Sequence, residues 1–281
     1  MTRTPPTALP PETRIGRTAL AVADREEMTA FYRDVVGLDV LDRADDSATL
    51  GTANAPLLVL DATDAPDRRP ETAGLFHTAF RVPTRAALGD ALGRLRADRH
   101  LSGASDHGVS EALYTTDPEG NGVEIYRDFP REAWPRTDDG RVGIYTKPLD
   151  LDPIVAASTG EAGAPPETDV GHVHLEVTSL ERFREFYVDL LGFEVQTDLP
   201  AALFVSAGGY HHHLGANTWN GRTEPAGERG LAWFEVVLPD GESLDALRER
   251  IAESEYEETD SDAGFAVSGP DEIEARFRTE A

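Results

Sequence analysis

Residues 15–40 and 170–195 are two copies of one segment. IGRTALAVADREEMTAFYRDVVGLDV aligns with VGHVHLEVTSLERFREFYVDLLGFEV at a constant offset of 155 residues. Gly16/Gly171, Phe31/Phe186, Tyr32/Tyr187, Asp34/Asp189, Gly37/Gly192 and Val40/Val195 are identical. A duplication at a fixed period constrains the architecture more than any short motif does: the chain builds one supersecondary unit twice and packs the copies together. One position breaks the likeness in chemistry. Arg17 stands in the first copy where the second has His172. A guanidinium has no lone pair to offer a cation, whereas a neutral imidazole has one. The copies are alike as scaffolds and unlike as ligand donors.

Each copy opens on an alternating strand. In GHVHLEV, His172, His174 and Glu176 share one face and Val173, Leu175 and Val177 the other. A helix follows, with Asp24 and Glu27 as a capping box in the first copy and Ser179 as the cap in the second. Phe31-Tyr32 and Phe186-Tyr187 fall on its buried stripe, and Gly37 or Gly192 ends it. Short strands come next. A weaker repeat lies inside each copy: GLFHTAFRVPTRAALGDALGRL (74–95) parallels GLAWFEVVLPDGESLDALRERI (230–251). The spacing from Arg17 to His77 is 60 and from His172 to Trp233 is 61. The pattern predicts four βαβββ modules.

Residues 1–13 read as a flexible arm, 14–128 as a domain of modules 1 and 2, 129–168 as a Pro-rich linker, and 169–281 as a domain of modules 3 and 4. A chain of 281 residues suits two such domains. There is no cysteine, which excludes disulfides, thiolate metal sites and a cysteine nucleophile. Asp and Glu total 52 against 26 Lys and Arg, of which only Lys147 is lysine. The acids are dispersed, so the field repels nucleic acid and anionic membranes and reads as a halophile-type solvated surface. No apolar run reaches membrane-span length, and the N-terminal stretch lacks a signal-peptide core. A cytoplasmic protein is the expectation.

The IGR/VGH strand openings, the FYxDxxG helix ends and DPEGNGVEIY (117–126) resemble the vicinal oxygen chelate superfamily of glyoxalase I, extradiol dioxygenases and bleomycin or fosfomycin resistance proteins. SDHGVSEALYTTDPEGNGVEIYRD and SAGGYHHHLGANTW look most like two-domain catechol 2,3-dioxygenases. The resemblance implies an α+β fold: four βαβββ modules forming two cupped, incomplete mixed β-barrels flanked by helices. It also implies a divalent metal inside a module pair, held by a His on each opening strand and a Glu on one closing strand. Carried over residue by residue, module 1 offers Arg17, module 2 His77 and Glu124, module 3 His172, and module 4 Trp233 and Glu274.

Neither sequential pairing, 1 with 2 or 3 with 4, then supplies two His and one carboxylate, the facial set that suits non-haem Fe(II). Crossed pairing does: with module 2 against 3, His77, Glu124 and His172 converge, and Arg17, Trp233 and Glu274 fall in a metal-free partner site. Sequential pairing remains open if a substitute ligand comes from the run His211-His212-His213. Strand alternation would place His211 and His213 on one face, as a fourth ligand, a substrate contact or simple structural histidines. His174, beside His172, is a candidate cavity residue.

The resemblance further implies catalytic roles for Tyr114, three residues before Asp117, and His107 in SDHGVS, though the segment from His107 to Asp117 is two residues shorter than the family pattern. The implied activity is extradiol cleavage of a catechol-type diol with O2, using Fe(II), or Mn, Ni or Zn in its place, with His107 as acid/base and Tyr114 as hydrogen-bond donor. Two rival functions stay open: a glyoxalase-type isomerase or lyase with four ligands, and a non-catalytic drug- or metabolite-binding protein. The expected partners are a small aromatic substrate and O2, with homo-oligomerisation through sheet edges also open.

Overall fold

The structure, a computed structural model, describes residues 8–97, 100–261 and 263–280. Two mixed sheets carry the chain. The nine-stranded sheet runs in the order Glu194–Leu199, Ala202–Ser206, Leu214–Asn217, Asp169–Glu176, Gly74–Arg81, Gly122–Asp128, Ser110–Thr116, Gly103–Asp106, Lys147–Pro148. It therefore joins module 3 to module 2. The eight-stranded sheet joins module 4 to module 1 through Gly230–Leu238 and Arg14–Val22. The pairing is crossed, and the sequential alternative is excluded. The fold is α+β with two cupped half-barrels, as expected.

The opening strands meet antiparallel at the centre of each sheet. Asp169–Glu176 runs against Gly74–Arg81, with His174 opposite His77 and His172 opposite Ala79. Each opening strand also pairs in parallel with the closing strand of its own module, as Ala79 does with Glu124. The register slips at Val170/His172 and at Ile15/Thr18, at the glycine of each VGH/IGR motif. A Cβ on Gly171 would lie 1.8 Å from the Tyr126 hydroxyl, and one on Gly16 would lie 2.8 Å from a Glu235 carboxylate oxygen. The repeated glycine thus permits a β-bulge that bends the strand just before residue 172 or 17.

The helices behave as their sequences require. Asp24 accepts from the Glu27 backbone N–H at 2.9 Å, and Ser179 from that of Arg182 at 3.3 Å. In both copies the FYxDxxG segment widens into a π-turn, Tyr32–Val36 and Arg184–Leu190. It buries Phe31, Tyr32, Phe186 and Tyr187 against the sheets. Gly37 and Gly192 both have φ of 93°.

The first seven residues of the predicted arm lie outside the described residues. Leu9 is buried, and its N–H donates to the Gly192 carbonyl at 3.0 Å, so residues 8–13 dock on module 3. The Pro-rich stretch 129–168 also packs. Trp134 and Val142 form a small core with Tyr210, Ile154 is fully buried on the short helix Asp152–Ala157, and Lys147–Pro148 adds an edge strand. Its apolar residues between the prolines are enough to hold it down. No helix among the described residues is long and apolar enough to cross a membrane.

Candidate metal centre and its cavity

The three carried-over donors converge across the seam between modules 2 and 3. His77 comes from one opening strand, His172 from the other just past its bulge, and Glu124 from the closing strand beside them. His77 Nε2 and His172 Nε2 are 3.3 Å apart. Glu124 Oε2 lies 3.1 Å from the first and 3.4 Å from the second. All three side chains are buried. Among the described residues, this is the group of His and carboxylate side chains whose ligand atoms gather within 4.8 Å.

Donors about 2.1 Å from a cation sit roughly 3.0 Å apart at adjacent octahedral positions and roughly 3.4 Å apart at tetrahedral ones. The observed edges fall in that range, so the set fits a first-row divalent cation without rearrangement. The protonation states fit as well. Burial opposes ionisation of Glu124, but the facing His172 and His77 outweigh it and hold the carboxyl well below its ordinary range. Burial pushes His172 down to about 4 against the pull of Glu124. Neutral imidazoles and a carboxylate are the forms that ligate.

The donors open into a cavity of about 470 Å³. His107 and Tyr114 form part of its wall. The linker fixes the tautomer of His107: its Nδ1 donates to the Tyr145 carbonyl at 2.9 Å, which leaves Nε2 to accept from the Tyr114 hydroxyl at 2.6 Å. Burial, and then the nearby Glu124 carboxylate, hold the Tyr114 phenol well above its ordinary value, so it stays a donor. The shortened loop between His107 and Asp117 has not cost this contact. His174 also lines the cavity, with its Nε2 3.2 Å from Asn217 Nδ2 and its ring 4.9 Å from that of His77.

The histidine run is arranged otherwise than strand alternation predicts. Residues 211–213 sit in a bend, and the strand begins only at Leu214. His213 turns away from the cavity; its Nδ1 accepts the Ala207 N–H at 3.1 Å and its ring stacks on Tyr210. His211 faces Asp128, with Nε2 2.9 Å from Oδ1. It is His212, expected on the opposite face, that reaches the cavity, with its ring 4.0 Å from that of His172. Its Nδ1 is bonded to His211 Nδ1 at 2.7 Å.

Periodicity also gave no sign of Ile144, Tyr145 and Thr146, which wall the cavity from the linker, or of Phe204 and Trp219. The signal that could have found the linker residues is the cluster of apolar side chains amid its prolines.

The corresponding place in the other half-barrel is filled. Arg17 lies over Trp233 at 5.4 Å and Arg276 over it at 4.1 Å. Arg17 Nη2 is 2.5 Å from Glu235 Oε1, and Arg276 bonds Glu274 at 2.7 Å. The position equivalent to His172 carries a half-buried arginine paired with the buried Glu235, and Glu274 is engaged by an arginine.

Comparison with known proteins agrees with this geometry. The profile of the Glyoxalase/Bleomycin resistance protein/Dioxygenase superfamily matches residues 14–125 and 169–275. A catechol-2,3-dioxygenase of Bacillus subtilis (strain 168) is 38% identical over 275 residues, covering 94% of this chain and 96% of its own. Biphenyl-2,3-diol 1,2-dioxygenase 3 of Rhodococcus globerulus is 31% identical over 161 residues, covering 54% of this chain and 84% of its own. Among solved structures, a protein from Bacillus subtilis superposes with a TM-score of 0.65 at 15% identity, over 97% of this chain and 86% of its own. Glyoxalase I from Zea mays gives a TM-score of 0.57 at 15% identity, over 95% and 92%. At such identities these structures speak for the fold alone. The chain belongs to the glyoxalase/bleomycin resistance protein/dioxygenase superfamily, as an enzyme of the catechol-2,3-dioxygenase-like kind.

Proposed function

We propose that this chain is an extradiol ring-cleaving dioxygenase that acts on a catechol-type diol with O2, and that His77, Glu124 and His172 hold its Fe(II). The observation that carries the reading is the convergence of two imidazoles and one carboxylate at 3.1–3.4 Å beside a largely apolar cavity. The full-length likeness to a relative named catechol-2,3-dioxygenase supports it. Fe(II) bound there supplies a Lewis-acid centre that acidifies a chelated diol, together with the redox capacity that O2 chemistry needs.

The protein's own groups supply the rest. His77, Glu124 and His172 would hold the metal at the wall of the cavity, where a diol would have room beside it. His107 Nε2 accepts a hydrogen bond from Tyr114 and is the base through which a diol proton is taken up, directly or by way of the phenol. The Tyr145 carbonyl, accepting from Nδ1, stabilises the imidazolium so formed until the proton is returned at ring opening. Phe76, Phe204, Ile144 and Trp219 keep bulk water from the reacting ring. A glyoxalase-type site takes a fourth protein ligand, and the donor cluster contains three. His213, one residue expected to supply the fourth, is committed to Ala207.

The test is anaerobic purification, metal analysis, reloading with Fe(II) and addition of catechol. Oxygen uptake with a yellow ring-opened product supports the reading. Bound iron with no oxygen uptake across several diols overturns it.

A further inference from the structure

The chain has one lysine in 281 residues, and the fold places it beside the cavity. Lys147 stands in the linker, two residues after Tyr145, which lines the cavity. Its ammonium lies over the Tyr145 ring, 4.3 Å from the centroid. Although the chain holds 52 acidic residues, the partner of this ammonium among the described residues is that ring face and no carboxylate. The ring also has a seat on the loop that carries His107. Gly108 has φ of 76°, and a Cβ there would lie 2.5 Å from Tyr145 Cε1 and 3.0 Å from Pro135 Cγ. Only a residue without a side chain lets the ring lie this close to the backbone next to His107.

The backbone that carries this ring is the backbone that holds the base. Tyr145 N–H donates to the His107 carbonyl at 3.3 Å, and the Tyr145 carbonyl accepts from His107 Nδ1 at 2.9 Å. Thr146 Oγ1 lies 3.2 Å from the same Nδ1. Regular structure does little to fix the segment. Residues 144–146 belong to no helix or strand, and the edge strand Lys147–Pro148 that follows is two residues long and includes a proline, which has no N–H to give. Ordering such a segment costs backbone entropy that side-chain contacts must offset. The seat of the Tyr145 ring on Gly108 and the ammonium over its face are contacts of that kind.

We propose, resting on the dioxygenase reading, that Lys147 is a positioning residue: its ammonium holds the Tyr145 ring on Gly108 and so keeps the Tyr145 carbonyl against His107 Nδ1. A single lysine allows a chemical test beside the genetic one, because acetylation removes the charge and reductive dimethylation keeps it. Lys147 is exposed to both reagents. On the Fe(II)-loaded full chain with catechol, Lys147→Met and the acetylated protein lose kcat about two- to fivefold, the worth of one exposed cation–π contact. Lys147→Arg and the dimethylated protein stay near the parent. Acetylation of the Lys147→Arg protein, which has no lysine left, controls for the α-amino group. Metal content is the same in all of them. A second readout requires no turnover. In the Zn(II)-loaded full chain with isotope-labelled histidine, the Nδ1–H resonance that His107→Phe abolishes exchanges with water about two- to fivefold faster in Lys147→Met than in Lys147→Arg. Equal kcat in Lys147→Met and Lys147→Arg, or equal exchange rates, overturns the proposal. So does a loss of kcat matched by a loss of metal. If the parent protein cleaves no diol, the dioxygenase reading fails, and the exchange rates alone decide whether Lys147 positions His107.

Discussion

His77 Nε2 and His172 Nε2 face each other at 3.3 Å, although 95 residues separate them and they belong to different copies of the duplication. Glu124 Oε2 completes the triangle, and three such donors at this spacing match ligands around one cation. The expected consequence is shared ownership of one cation. His77→Ala and His172→Ala each reduce bound metal from about one equivalent per chain to near zero, and Glu124→Gln weakens affinity by at least about a hundredfold. Elemental analysis after dialysis reads this directly. A variant that keeps full metal content when either His is removed would contradict the shared site.

The other half-barrel should answer differently. Arg17→Met removes the guanidinium from the Glu235 carboxylate, which is 3% exposed, and leaves it the backbone N–H of residue 17 at 2.9 Å and Arg278 at 3.2 Å. A partly uncompensated buried charge predicts a loss of about 1–3 kcal/mol in chemical denaturation, with metal content unchanged. A drop in metal content with unchanged stability would reverse the roles assigned to the two halves.

Much of this was legible in the sequence because it depends on periodicity. The modules, the strand faces of His172 and His174, the caps at Asp24 and Ser179, and the convergence of His77, Glu124 and His172 follow from alternation, repeat offset and resemblance. Crossed pairing could be argued from where Arg17 falls, but settling it required the register of Asp169–Glu176 against Gly74–Arg81. What failed was alternation applied where no strand exists. His211, His212 and His213 occupy a bend, so their directions are set by Asp128, His172 and Ala207 and by no period. The cavity wall from Ile144 to Thr146 was hidden for a similar reason: an irregular segment aims its side chains through tertiary packing, which a one-dimensional pattern does not carry.

Gly171 is where backbone and site meet. Gly171→Ala pushes a methyl into the Tyr126 hydroxyl, 1.8 Å from the ideal Cβ position, inside a strand that must keep its bulge. The expected cost is about 1–3 kcal/mol of stability together with weaker metal binding, because His172 follows directly. Adding Tyr126→Phe removes the clashing oxygen and should recover part of both losses, although the 2.7 Å bond from Tyr126 to Tyr210 goes with it. Failure of the second change to restore any metal binding would mean that the bulge does not aim His172.

The acid–base pair predicts a separation of chemistry from metal binding. Tyr114→Phe removes the hydroxyl that meets His107 Nε2 at 2.6 Å, and His107→Phe removes the base. Metal content should stay at the level of the unaltered protein while kcat falls about 10²–10⁴-fold for His107→Phe and less for Tyr114→Phe. Single-turnover measurement on metal-loaded protein checks this. Unchanged kcat in His107→Phe would assign the proton transfers elsewhere, with His212 the next group to test.

Buried neutral histidines should make the fold acid-sensitive. Burial, followed by the charges of His211 and Arg81, pushes His213 down to about 3. The unfolded chain then binds a proton near pH 6.5 that the folded chain refuses until about pH 3. Between those values the unfolded state holds more protons, so stability falls as pH falls, by up to about 1.4 kcal/mol per pH unit for this one group. Above pH 6.5 its contribution is flat. His213→Asn places an amide oxygen where Nδ1 accepts the Ala207 N–H and removes the titration. Denaturation midpoints measured from pH 7.5 to pH 4.5 should therefore drop less steeply in the variant than in the parent. Parallel slopes would show that His213 is protonated in the folded protein.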